Sequence, residues 1–141
     1  MPARLEIRLN RDLMDAEGQG IRRKAREYFG LEVESVRVIR VLTLDAPLTP
    51  EQLERIQKEI FTNPVTEASS YSPLAQDFDW LIWVGFRPGV RDTEGSTARE
   101  AIEDLLGMEL GPDEAVYTSK LFEIRGNLQR EDMDQVASEL L

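Results

Sequence analysis

With 141 residues, 41% apolar and 31% charged, the chain is long enough to bury a core and too apolar for wholesale disorder. A formal charge of −10 argues against nucleic acid, whose phosphates call for clustered Lys and Arg, and otherwise favours solubility. The sequence holds no Cys and no His, which removes thiolate and imidazole ligands, His bases, Cys nucleophiles, disulfides and the common zinc sites.

The N-terminus runs straight into Arg4-Leu5-Glu6-Ile7-Arg8, with neither a signal peptide's apolar core nor a membrane span, so a cytoplasmic location is the expectation. Leu5, Ile7 and Leu9 alternate with Glu6, Arg8 and Asn10, the period-two pattern of a half-buried strand. Asp15 stands where a helix N-cap belongs, with Glu17 in the first turn. Ile21, Ala25 and Tyr28 follow at helical spacing, and Gly30 suits a C-terminal stop. Val36 to Leu44 is a strand with apolar residues in both phases, so it is either covered on two sides or bent near Arg40. Thr49-Pro50-Glu51 opens a second helix whose stripe is Leu53, Ile56, Ile60 and Phe61. A turn and short strand are expected at Asn63 to Glu67, and Ser69 to Gln76 reads as a linker.

The order then repeats. Ile82, Val84 and Phe86 match the first strand's core phase, while Leu81 and Trp83 point the other way. Asp92 caps a helix with the stripe Ala98, Ile102 and Leu105 and the stop Gly107. A strand around Val116 and a helix with Met133, Val136, Leu140 and Leu141 follow. Aligned directly, Leu13 meets Val90, Asp15 meets Asp92, Gly18 meets Gly95, Arg22 meets Arg99 and Gly30 meets Gly107. After an insertion near Pro112-Asp113-Glu114, Val36 meets Val116, Arg40 meets Lys120 and Ile56 meets Val136. Such an order marks a tandem duplication, with repeats at 1–76 and 77–141. Leu141 aligns with Phe61, so the second repeat is expected to lack the first one's closing strand, as a piece of a longer chain would.

Few residues point to chemistry. The corners Asp15-Ala16-Glu17-Gly18 and Asp92-Thr93-Glu94-Gly95 could be anion sites at helix N-termini, but their own carboxylates repel phosphate and structural capping is favoured. Arg40 and Lys120 are basic residues in the apolar phase of equivalent strands. They either face a partner or mark a bend, with their stems lying along apolar neighbours. Trp80, Leu81 and Trp83 make a strand apolar on both faces; packing between the repeats, or an external interface, would cover the second face. An all-oxygen Mg²⁺ or Ca²⁺ site is possible in principle, but no EF-hand spacing occurs. There is no glycine-rich phosphate loop, nucleophile elbow or Walker motif, so no catalytic, cofactor-binding or metal residue is assigned.

Taken in order, these motifs resemble a known family. Pro-Gly-Val-x-Asp-x-x-Gly at Pro88 to Gly95, a helix ending in Leu106-Gly107, the basic strand Val36-Arg37-Val38-Ile39-Arg40 and the turn Thr62-Asn63-Pro64-Val65 are similar to PurS. That protein is the small subunit of phosphoribosylformylglycinamidine synthase, which aminates a purine precursor with glutamine and ATP. The family's usual Asp-Pro is Asp15-Ala16 and Asp92-Thr93 here, and its Gly-Lys is Ile39-Arg40 and Ser119-Lys120. Two copies in one chain look like the N-terminal region of single-chain, large-type synthases. The resemblance implies an α+β fold of two tandem ferredoxin-like (βαββαβ-type) repeats with antiparallel sheets, arranged as a pseudo-dimer. It further implies an assembly role, not catalytic by itself: holding the synthase and glutaminase domains in place for ammonia transfer, with ATP and Mg²⁺ bound elsewhere in the enzyme. A paired ACT-like module, binding a small regulatory molecule between its halves, is the alternative.

Overall fold

The structure, a computed structural model, describes residues 2–85 and 92–141. Among these the elements run β1 (Ala3–Leu9), α1 (Ala16–Phe29), β2 (Ser35–Asp45), α2 (Pro50–Ile56), β3 (Glu67–Ser70), β4 (Trp80–Gly85), α3 (Thr93–Leu106), β5 (Ala115–Arg125) and α4 (Arg130–Glu139). A π-helical turn, Gln57–Phe61, continues α2. Phe86 and the motif residues Pro88 to Arg91 lie outside the described residues.

All five strands join one antiparallel sheet in the order β3-β1-β2-β5-β4. This differs from the expectation of separate sheets. The cause is the edge of each long strand: β2 and β5 pair along their whole length, from Ser35 opposite Arg125 to Asp45 opposite Ala115. Each then satisfies the other's backbone groups, which two sheets stacked face to face would leave unpaired at that edge. Arg40 stands opposite Lys120 at the middle of the ladder. The bend considered at Arg40 does not occur.

Strand residues of one phase carry the helices. Leu5, Ile7, Leu42 and Leu44 pack with Ile56 of α2 and with Ala98, Ile102, Leu110 and Val116 from beyond residue 77. A second cluster joins Ala25, Val33 and Val36 to Phe122, Ile124, Met133 and Val136. Each cluster therefore draws on both ends of the chain. Among the described residues neither stretch has a core of its own.

Local chemistry sets the element ends. Asp15 accepts from the Gly18 amide at 2.9 Å and Asp92 from that of Gly95 at 2.8 Å. Thr49 and Gln52 form a capping box with Pro50 in the first turn. Gly30 and Gly107 end α1 and α3 with φ of 66° and 65°, where glycine carries no Cβ penalty. Two expectations shift. Phe29 rather than Tyr28 completes the inner stripe of α1, Tyr28 being exposed. The short strand begins at Glu67 because Asn63 first makes a turn, its Oδ1 accepting from the Val65 amide at 2.9 Å.

Tyr71 follows β3 and donates its phenol to the Leu53 carbonyl at 2.7 Å, locking α2 against that edge. Burial pushes its pKa up to about 12 from the ordinary 10. A raised folded-state value means that stability is intact below pH 10 and declines as the pH climbs towards 12. Urea midpoints measured across this range should fall for the native chain. In Tyr71→Phe they should fall less, from a lower starting stability that reflects the lost hydrogen bond.

Candidate functional site

β3 and β4 lie at opposite edges of the sheet, so the segment between them must cross three strands. Four inter-strand steps make about 19 Å, well within an extended stretch of this length. The crossing uses the face without helices, where Leu74 and Ala75 pack on Ile39, Val41 and Leu121. That cover explains why β2 is apolar in both phases.

Buried charges fasten this strap. Glu6 Oε1 accepts from the Leu74 amide at 3.1 Å, and Arg8 donates to the Leu74 carbonyl at 3.4 Å. Glu123 Oε2 accepts from the Gln76 amide at 2.9 Å and from Arg11 at 3.3 Å. Arg8 Nη2 lies 2.6 Å from Glu123 Oε1, with the two side chains only 6% and 3% exposed. The N–H direction misses that oxygen, so the contact is one of charge. Glu6 and Arg8, expected on a solvated face, are instead enclosed, because a strap distant in sequence covers them.

Beyond the strap the same face is open. Trp80 turns to the helix side and packs in the second cluster with Ile82 and Val84. Leu81 and Trp83 point away, 40% and 59% exposed, and Tyr117 is also exposed on β5. Trp83 donates its indole N–H to Ser119 Oγ at 2.8 Å. The Arg4 guanidinium lies over its ring, 4.7 Å from the centroid, a favourable cation–π arrangement. Among the described residues nothing else covers Leu81 and Trp83, so the packing expected over this face is not seen there. An amphipathic, aromatic surface of this kind is what protein interfaces use.

The other two sequence candidates are on the helix side, away from the aromatic surface. Arg40 and Lys120 lie on the floor of a cleft of about 1080 Å³ flanked by α1 and α3. Arg40 meets Glu67 at 2.9 Å and Lys120 meets Glu17 at 2.8 Å. Both cations are thus already matched by carboxylates. The Asp corners near this cleft also act within the fold. The second oxygen of Asp15 accepts from the Val38 amide, and that of Asp92 from the Thr118 amide, each at 2.7 Å. A Cβ at Gly18 would fall 2.0 Å from the Val36 carbonyl oxygen, so the helix start is pressed against β2. These contacts make the corners docking points for helices on strands.

Sequence reasoning missed Glu6, Arg8 and Glu123. Their only signal was charge on a strand whose neighbours were apolar on both faces. Among the described residues no group of three or more Asp or Glu side chains could hold a metal ion, and no helix is long and apolar enough to cross a membrane.

Compared with known proteins, residues 2–74, just over half of the chain, match the family model PurS, described as Phosphoribosylformylglycinamidine (FGAM) synthase. Neither the curated proteins nor the solved structures give a match.

The strap predicts its own failure. Glu123→Ala leaves Arg8 buried without its carboxylate and removes the acceptor of the Gln76 amide. Breaking such a pair should cost about 3–5 kcal/mol in urea unfolding, and chymotrypsin should cut faster at Phe78. An unchanged cleavage rate would mean that the strap holds without these charges.

Proposed function

Because the chain belongs to the PurS family of FGAM synthase, we propose that it is an assembly domain of that enzyme, built as a fused pair of PurS-like units. The family ties it to purine biosynthesis, in which PurS is a non-catalytic component of an ATP-dependent enzyme. The finer reading is that this domain positions the synthase and glutaminase domains so that ammonia passes between them. ATP, Mg²⁺ and glutamine would bind to those domains, in the cytoplasm.

The ladder between β2 and β5 supports the fused pair. The sequence alignment sets Arg40 against Lys120 as equivalents, and the ladder sets the same two residues face to face. A twofold axis between them requires both. Equivalence extends outward: Ile7 pairs with Arg40 as Val84 pairs with Lys120, and Ala3 pairs with Leu44 as Trp80 pairs with Ile124. The helices exchange across that axis, with α2 and α3 in one cluster and α1 and α4 in the other. Sharing of this kind is expected of a dimer interface turned into a domain interior.

One observation carries the assembly role: the exposed aromatic surface of Trp83, Leu81 and Tyr117, on a sheet face that the strap covers at Ile39, Val41 and Leu121. The ACT-like alternative looks instead to the cleft between α1 and α3. Its floor cations are already occupied by Glu17 and Glu67, which leaves less there for an anionic ligand and favours assembly.

The test is kinetic, with the synthase and glutaminase parts supplied. Leu81→Ser combined with Trp83→Ala should lower glutamine-dependent FGAM formation about tenfold, as loss of an interface anchor does. With ammonia supplied directly, the rate should stay within about twofold, because the chemistry lies elsewhere. Equal loss in both assays, or no loss in either, would contradict the assembly role of this surface.

A further inference from the structure

The two edges of the sheet are built differently. At one edge β3 is short and polar, Glu67-Ala68-Ser69-Ser70, and it covers β1 from Glu6 to Leu9. At the other, β4 reads Trp80-Leu81-Ile82-Trp83-Val84-Gly85. It has no charge, no proline and no bulge, the devices by which a free edge strand resists pairing. Among the described residues, β4 pairs with β5 alone. No described residue blocks its outer row of backbone groups, which is a template for pairing.

The charges beside the two edges differ in the same way. Where β3 is present, its Glu67 takes Arg40 at 2.9 Å. Lys120 holds the matching position next to β4, and there the partner is Glu17, reaching over from α1 at 2.8 Å. Glu94, which corresponds to Glu17 at the start of α3 and lines the same cleft, forms no ion pair among the described residues. A strand at one edge thus supplies the carboxylate for the sheet's cation, and at the β4 edge a helix supplies it.

We propose that the outer edge of β4 is a docking site for an antiparallel partner strand of β3's chemistry: small side chains following one carboxylate. That carboxylate would meet Lys120 as Glu67 meets Arg40, releasing Glu17. Main-chain hydrogen bonds give such an addition its affinity, and the charged position fixes its register. The inference rests on the internal twofold proposed above.

A tethered surrogate tests it. Leu141 packs against the second cluster as Phe61 packs against the first, so a second copy of Thr62–Tyr71 appended after Leu141 would start from the corresponding place. Hydrogen exchange at the β4 amides should slow at least tenfold relative to the unextended chain. Replacing the appended glutamate by lysine should lose most of that gain, and adding Lys120→Glu to the same chain should restore it. Unchanged β4 exchange in the extended chain would overturn the proposal. So would β4 amides already protected in an unextended chain that sediments as a dimer, because a second copy would then hold the edge. Either failure leaves the internal twofold standing, since that is read from coupling between the shared clusters across β2 and β5.

Discussion

The pairing of β2 with β5 is the constraint on which the rest of this molecule depends. It joins the two ends of the chain through eleven-residue strands whose full lengths are in register. Once that ladder forms, the helix-side phases of β1, β2, β5 and β4 become one surface. Each apolar cluster on it then takes strands and helices from both ends of the chain. Close packing makes this arrangement cooperative, because a void on one side removes dispersion contacts on the other.

The second consequence concerns the opposite face. Joining the strands edge to edge sends β3 and β4 to opposite margins, and the chain has to cross the sheet to connect them. Such a crossing would bury main-chain polar groups without partners. Glu6, Arg8 and Glu123 provide those partners for Leu74 and Gln76, and they form a charge contact of their own beneath the strap. Their burial is therefore a by-product of topology. It also divides the face into a part that the strap covers and an open aromatic part.

What the sequence made legible was mostly local. Asp15, Asp92, Thr49, Pro50, Gly30 and Gly107 act through neighbours a few residues away, and the structure uses each as its chemistry requires. The α+β class followed from alternation and helical spacing. The family was legible from motif order, and the match over residues 2–74 agrees with it. The single sheet was not legible, because periodicity says which face of a strand is buried and nothing about which strand lies beside it. The enclosure of Arg8 by a residue as distant as Glu123 was hidden for the same reason. The π-helical turn after Ile56 and the late start of β3 show a smaller limit: ends set by side-chain turns drift by a few residues from where patterns put them. Among the interface candidates, Leu81 and Trp83 are exposed, Trp80 is packed inward, and Arg40 and Lys120 sit together on the helix side. A list of residues by type does not separate these three situations; strand phase and partner do.

Sharing of the core between the two ends of the chain is the claim from which the fused-pair account follows, and native-state hydrogen exchange tests it most directly. Ile102 lies in α3 and is fully buried against Leu5, Ile7, Leu42 and Leu44. Ile102→Ala should destabilise the protein by about 2–5 kcal/mol. The loss of protection should be equal at the core amides of β1 and β2 and at those of β5. Loss confined to residues beyond 92, with β1 and β2 exchanging as before, would show two independently stable units and contradict the account.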